Sequence, residues 1–286
     1  MTSILYPRFI VHRLMALTFI KLGGSVITDK TGQEAADIET IRRLAGELRD
    51  ARAADPGLRI ILGHGSGSFG HTYAARYGIH RGIAPGGDWM GFALTAGAAL
   101  RLNRIVVDEL LAAGVPALSL QPSTTLRSAG GRLVAWDTAT VGRALSQGLV
   151  PVVHGDVAFV DAQGTAIIST ESLLLFLAEQ TEELRPTRVI LVGESGVYTA
   201  DPRVDPQAQR IPRISQENIA AVLQGAGSSH GVDVTGGMRA KVELLWRMVE
   251  AQPGLNAQMI GSAPGLLQRA LLGQAEDEGT TIGVRG

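Results

Sequence analysis

Leu17-Thr18-Phe19-Ile20-Lys21-Leu22-Gly23-Gly24-Ser25 is the stretch whose reading decides the fold. An apolar, β-rich run ends in a lysine and two glycines, so a buried strand delivers a cation to a turn whose backbone can approach an anion closely. Outward from it the rhythm repeats. Apolar runs at Arg59–Gly63, Val115–Leu120, Leu149–His154, Arg188–Val192 and Ala257–Gly261 alternate with helix-period segments, among them Asp37–Ala54 and a helix from about Phe69. This alternation predicts an α/β fold with a largely parallel central sheet and helices on both faces. Val157–Val160 and Thr165–Ile168 flank Asp161-Ala162-Gln163-Gly164 and predict one antiparallel hairpin inside that frame. The charged, proline-containing stretch Glu182–Pro186 predicts a seam between an N-terminal lobe, 15–184, and a C-terminal lobe, 185–286, of one continuous domain. Met15 stands six residues before Lys21, so 1–14 reads as a loose extension or a start-codon artefact.

The bulk numbers narrow the function. A chain of 286 residues can bury a large core, and its formal net charge of -1 gives no basic field for a nucleic-acid backbone. There is no cysteine, which excludes disulfides, thiolate metal sites and cysteine nucleophiles and fits a cytoplasmic home. Arg8, His12 and Arg13 interrupt the apolar residues of the first 18 positions, so no membrane segment or signal peptide is read there. Of the 26 basic residues only Lys21, Lys30 and Lys241 are lysines. Arginine being the default cation, a compact ammonium at these places is either chance or a point charge for a phosphate.

Two further segments carry chemistry. The run Ile60-Ile61-Leu62 leads into Gly63-His64-Gly65-Ser66-Gly67-Ser68-Phe69-Gly70-His71, a second turn with little side-chain bulk. Gly65, Gly67 and Gly70 fit GxGxxG, but no acidic residue ends a second strand about 20 residues on, which weighs against a dinucleotide site. His71 can donate to a phosphate oxygen or simply bond nearby backbone at a helix start, while His64 and His154 read as strand-end packing or hydrogen-bonding residues. Asp233-Val234-Thr235-Gly236-Gly237-Met238-Arg239-Ala240-Lys241 opens a helix, Met238 to about Glu250, whose first amides and Lys241 either face an anion or stand in solvent. No stretch fits GxxxxGK[ST], so any ATP site is built without a Walker A loop.

Lys21-Leu22-Gly23-Gly24-Ser25, the second glycine turn, Gly196-Val197-Tyr198-Thr199-Ala200-Asp201-Pro202-Arg203 and Thr235-Gly236-Gly237-Met238 with Lys241, in this order and at these distances, resemble the amino-acid kinase superfamily from about Phe19 to Ile282. Within it, Gly67-Ser68-Phe69-Gly70-His71 is similar to the isopentenyl phosphate kinases. The resemblance implies a three-layer αβα sandwich and a phosphotransferase that uses ATP and Mg²⁺ to phosphorylate a phosphate monoester in isoprenoid precursor synthesis, as a cytoplasmic homodimer with no nucleic-acid or membrane partner. It implies Lys21, Lys30 and His71 as catalytic residues. ATP falls to Lys21, Leu22, Gly23, Gly24, Ser25, Gly67, Gly193, Gly237 and Lys241, the acceptor to Ser66, Gly67, His71, Gly155 and Asp156, and no protein metal site is assigned.

The chain departs from the family where relatives carry aspartates. It has Val192-Gly193-Glu194-Ser195-Gly196 before Val197-Tyr198, and Ser169-Thr170-Glu171-Ser172, where Glu171 either substitutes or only starts a helix Leu173–Gln180. Other readings stay open: a kinase of a phosphonate such as fosfomycin, a carboxylate kinase for acetylglutamate or glutamate, or a non-catalytic nucleotide-binding relative. Trp89, Met90, Phe92, Ala93 and Ala96 at helical spacing are read as the pocket for a hydrocarbon tail or as ordinary core.

Overall fold

The computed structural model describes residues 16–29, 31–84, 86–130, 132–161, 164–225 and 237–284. The extension 1–14, Lys30 and Asp233 to Gly236 therefore lie outside the described residues. The chain runs β1 (Leu17–Leu22), α1 (Gly24–Ile27), α2 (Ile38–Ala54), β2 (Arg59–His64), α3 (Gly67–Arg76), α4 (Met90–Ala112), β3 (Ala117–Ser119), β4 (Arg127–Ala129) and β5 (Arg132–Ala135). It continues through α5 (Ala139–Ser146), β6 (Val150–His154), β7 (Asp156–Val160), β8 (Gly164–Ile168), α6 (Thr170–Gln180), β9 (Arg188–Val192), β10 (Val197–Tyr198), β11 (Arg210–Ile211) and β12 (Arg213–Ile214). It ends with α7 (Ile219–Gly225), α8 (Gly237–Ala251), β13 (Asn256–Ile260), α9 (Leu266–Leu271) and β14 (Thr280–Ile282).

Eight strands form the central sheet in the order β12-β14-β13-β9-β1-β2-β6-β3. Every pair is parallel except β13 with β14. Period-two alternation along β1 explains the layers. Leu17 and Phe19 join a core with residues of α5, α6 and α8, whereas Ile20 and Leu22 join one with residues of α2, α4 and α9. Lys21 falls in the first set by parity, on the α6 and α8 face. The expected α/β sandwich with helices on both faces is what forms.

Local signals place the helices. Asp37 accepts from Thr40 N at 3.0 Å and caps α2, whose Ile41, Leu44, Ala45 and Leu48 bury one stripe. Helix α4, at 23 residues, is long and apolar enough to cross a bilayer by composition alone. Its Ala98, Leu102, Val106 and Leu110 instead pack into the core beside the sheet. The expected hairpin is β7–β8, paired antiparallel from Asp156↔Ile168 to Val160↔Gly164, within a small sheet ordered β5-β4-β7-β8. Helix α6 starts at Thr170, one turn before the expected Leu173, because Ser169 caps it by accepting from Ser172 N at 3.1 Å.

Candidate active site

The carboxyl ends of β1, β2, β6 and β9 stand side by side, in register at Leu22↔His64, His64↔His154 and Leu22↔Val192. In open parallel sheets ligands bind in the crevice beyond those ends. Here the crevice is a cavity of about 550 Å³.

Two glycine turns build its floor by backbone contact. Gly65 N donates to Leu22 O at 3.0 Å and Gly23 N donates to Val192 O at 2.7 Å. A Cβ on Gly24 would stand 2.8 Å from Gly67 Cα, so a side chain there would force the turns apart. Gly67 has φ of +47°, a left-handed conformation that suits glycine. The sequence is glycine-rich here because two main chains must touch below an anion, and Gly23, Gly24, Ser25 and Gly67 all line the cavity.

Lys21 and Lys241 bring charge to this floor. Lys21 Nζ lies 2.9 Å from Glu171 Oε1, with the two side chains only 11% and 12% exposed. Burial alone would push the Glu171 carboxyl up, but the Lys21 ammonium, its hydrogen bond and the more distant Lys241 hold it below the usual carboxylate value. A nearly buried lysine is thus paired, at the cavity floor, with an acid in the first turn of α6. Glu171 was not among the expected ATP or acceptor contacts. The signal that could have found it is parity, since a lysine inside a buried strand needs an acid on the helix covering that face.

The acceptor end lies across the second turn. Ser66 and His71 line the cavity, His71 exposed one turn into α3, and Gly155 and Asp156 close the far side from the β6–β7 junction. Burial pushes the Asp156 carboxyl up, although its Oδ1 accepts from Val157 N at 2.8 Å and its Oδ2 from Ser123 N at 3.1 Å. Ala74, Thr95, Ala99 and Ile167 continue the wall with mostly apolar surface. Phe92 does not line the cavity. It sits one turn from Thr95, packed on Phe159 with ring centroids 4.7 Å apart and on Trp89 at 5.5 Å. Of the helix positions read as either tail pocket or core, Trp89, Met90, Phe92, Ala93 and Ala96 do not line the cavity, and Phe92 and Ala96 pack against the core; Thr95 and Ala99, three and seven residues beyond Phe92, form the wall instead.

The cavity therefore gathers Lys21, Gly23, Gly24, Ser25, Gly67, Gly193 and Lys241 with Ser66, His71, Gly155 and Asp156. Leu22 and Gly237 are not among its lining residues; Leu22 is 3% exposed and packs in the core. Glu194, from the stretch where the resemblance leads one to expect aspartates, lines it, as does Arg203. Among the described residues no group of three His, Asp or Glu side chains could hold a metal ion. Of the lining carboxylates, Glu171 is engaged by Lys21 and Asp156 by two backbone amides, and Glu194 stands apart at the β9 end.

Residues 16–255 match the model of the amino acid kinase family. An isopentenyl phosphate kinase of Methanothermobacter thermautotrophicus is 37% identical over 275 residues, 93% of this chain and 98% of that protein. One of Haloferax volcanii is 37% identical over 265 residues, covering 89% and 99%. A solved isopentenyl phosphate kinase structure superposes with a TM-score of 0.75 at 33% identity, covering 93% of this chain and all of that one. On this match and these identities the chain belongs to the amino acid kinase family, in the branch that contains the isopentenyl phosphate kinases.

Proposed function

We propose that the chain transfers the γ-phosphoryl group of ATP to the phosphate of isopentenyl phosphate, giving isopentenyl diphosphate and ADP. The observation that carries this reading is the make-up of one cavity. A cationic, amide-rich floor runs into a polar corner at Ser66 and His71 and then into the apolar wall of Ala74, Thr95, Ala99 and Ile167. That sequence of surfaces suits a phosphate with a short hydrocarbon tail. An amino-acid acceptor would need charged partners where the wall is apolar, and a phosphonate such as fosfomycin would leave it unfilled.

The acceptor phosphate is largely a dianion at neutral pH, its second pKa being near 6, so its oxygen attacks the γ-phosphorus without a general base. One P–O bond forms to the acceptor oxygen and the bond to the ADP oxygen breaks. Repulsion between two polyanions is the obstacle, and charge and positioning overcome it. In this reading Lys21 sits beside the transferring group and Lys241, with the amides of Gly23, Gly24 and Ser25, holds the nucleotide phosphates. His71 and Ser66 donate to the acceptor phosphate, with the Gly155 turn behind it. Lys30 is assigned to the same cluster on resemblance. Mg²⁺ accompanying the nucleotide would supply charge neutralisation at the phosphates. Residues 15–184 supply the acceptor site together with the β1 turn that meets the nucleotide phosphates, and 185–286 the rest of the nucleotide site, of one domain that acts in the cytoplasm as a homodimer.

The test is a panel of isopentenyl, dimethylallyl and geranyl phosphates, fosfomycin and acetylglutamate with Mg-ATP, scored by product. Efficient turnover of isopentenyl phosphate supports the reading. Preference for fosfomycin or acetylglutamate, or no turnover at all, would overturn it.

A further inference from the structure

His64 and His154 lie at the ends of neighbouring strands, wholly buried and in register, with ring centroids 5.6 Å apart and planes inclined by 26°. Neither lines the cavity, and the mechanism above uses neither. Each makes the same contact: His64 Nδ1 is 3.0 Å from Gly65 O, and His154 Nδ1 is 3.1 Å from Gly155 O. A carbonyl only accepts, so in both rings Nδ1 carries the proton. We propose that His64 and His154 are positioning residues for phosphoryl transfer, each donating its Nδ1 proton to the carbonyl of the following glycine and so fixing the two cavity-lining turns at Gly65 and Gly155 in one frame.

Three observations extend this from packing to positioning. The first is that the His64 main chain is a junction. Its carbonyl accepts from Gly155 N at 3.1 Å and from Thr170 Oγ1 at 2.6 Å, and the next amide, Gly65 N, donates to Leu22 O. One residue thereby ties the β1 turn, the β6 turn and the first turn of α6, where Glu171 holds Lys21. The second is that the His64 ring is locked from behind. Asn103 Nδ2 donates to its Nε2 at 3.0 Å, and Asn103 Oδ1 accepts from Ser119 Oγ, so the chain Ser119–Asn103–His64–Gly65 has one consistent direction of donation. Asn103 is itself fully buried within α4. The third is charge. Burial, then the neighbouring His154, push the His64 pKa down to about 3, so the ring stays neutral at working pH and keeps the Nε2 lone pair that Asn103 needs. Burial lowers His154 likewise, and its Nε2 has no partner among the described residues, so no second ring proton is accommodated there.

This inference rests on the proposed reaction for its readout, but only on there being a transfer to measure. The experiment compares His64→Leu, His64→Asn, His154→Leu, His154→Asn and Asn103→Ala with the full-length protein as it stands. It follows kcat and both KM values with whichever acceptor of the panel the wild type turns over. Failure of isopentenyl phosphate in the wild type thus counts against the proposed function and leaves this comparison intact. Asparagine places an amide nitrogen where histidine has Nδ1, whereas leucine fills space without a donor. The leucine variants are expected to lose about 10- to 100-fold in kcat, with each KM within about threefold, because a displaced turn mis-aims bound reactants. The asparagine variants should recover most of that loss, and Asn103→Ala should lose about three- to tenfold. A folded leucine variant with wild-type kcat, or asparagine no better than leucine, would overturn the proposal. If either leucine variant does not fold, Asn103→Ala and the asparagine variants decide: wild-type kcat in Asn103→Ala would overturn the lock, and asparagine variants that fold yet lose about 100-fold would overturn the donor.

Discussion

At the scale of single residues, the site depends on pairing a nearly buried lysine with a carboxylate. Lys21 reaches the cavity from within a buried strand, where little of it meets solvent, and Glu171 pairs with it at 2.9 Å. Lys21→Met should fold and lose at least about 100-fold in kcat, since the charge acts on the transferring phosphoryl group; a near wild-type rate would contradict its role. Glu171→Gln should cost about 1–3 kcal/mol in the unliganded protein, less than the 3–5 kcal/mol or so of a fully enclosed pair, because the cavity side is open to water. The pH dependence has a definite sign. The folded carboxyl lies below its ordinary value of 4.5, so the stabilisation is complete above the unfolded carboxylate range and is lost as pH falls through the lower folded value. Melting temperatures of wild type and Glu171→Gln should therefore differ by a constant amount from about pH 6 to 8 and converge in acid, below about pH 4. A gap that widens in acid would contradict the ion pair.

At the scale of elements, the two glycine turns act as a unit. Gly24→Ala would drive a Cβ against Gly67 and separate them, and a loss of at least about 100-fold in kcat/KM for ATP is expected. Kinetics of the folded variant check this, and wild-type values would mean that the turns need not touch. Helix α4 sets the other boundary. Ile167→Ala widens the wall opposite Thr95 and Ala99 and should raise kcat/KM for geranyl phosphate relative to isopentenyl phosphate, whereas Phe92→Ala should leave that ratio unchanged. The reverse pattern would return the tail pocket to Phe92. This correction shows what the sequence left open. Helical spacing marked the right face of the right helix, since 92, 95, 96 and 99 share one stripe, but only packing against α3 and the β7–β8 hairpin decides which turns of that stripe meet the cavity. Glu171 was singled out, but its pairing with Lys21 was hidden for a similar reason, because the two are 150 residues apart and only the fold brings them together.

At the scale of the whole molecule, the long strands were legible because each is a continuous apolar run, as a strand buried on both faces must be. β1 and β9 were read with their observed bounds, and β2, β6 and β13 to within a residue at either end. The two- and three-residue strands β10, β11, β12 and β14 were not, since segments so short carry no period and form only when a neighbour offers an edge. The site was legible where chemistry is local, in Lys21-Leu22-Gly23-Gly24-Ser25, in the turn ending at His71 and in His64 as a strand-end hydrogen-bonding residue, and silent where it depends on contacts across the fold, as at Asn103, the partner of His64. The central claim is that the phosphoryl acceptor is a phosphate held at His71. Its most direct test is kcat/KM for isopentenyl phosphate at saturating Mg-ATP in wild type, His71→Ala and His71→Gln. The alanine variant should lose about 2–4 kcal/mol, roughly 30- to 800-fold, with the KM for ATP nearly unchanged, and glutamine, which keeps an N–H donor, should regain part of it. An alanine variant with the wild-type value would remove His71 from the acceptor site and contradict the account.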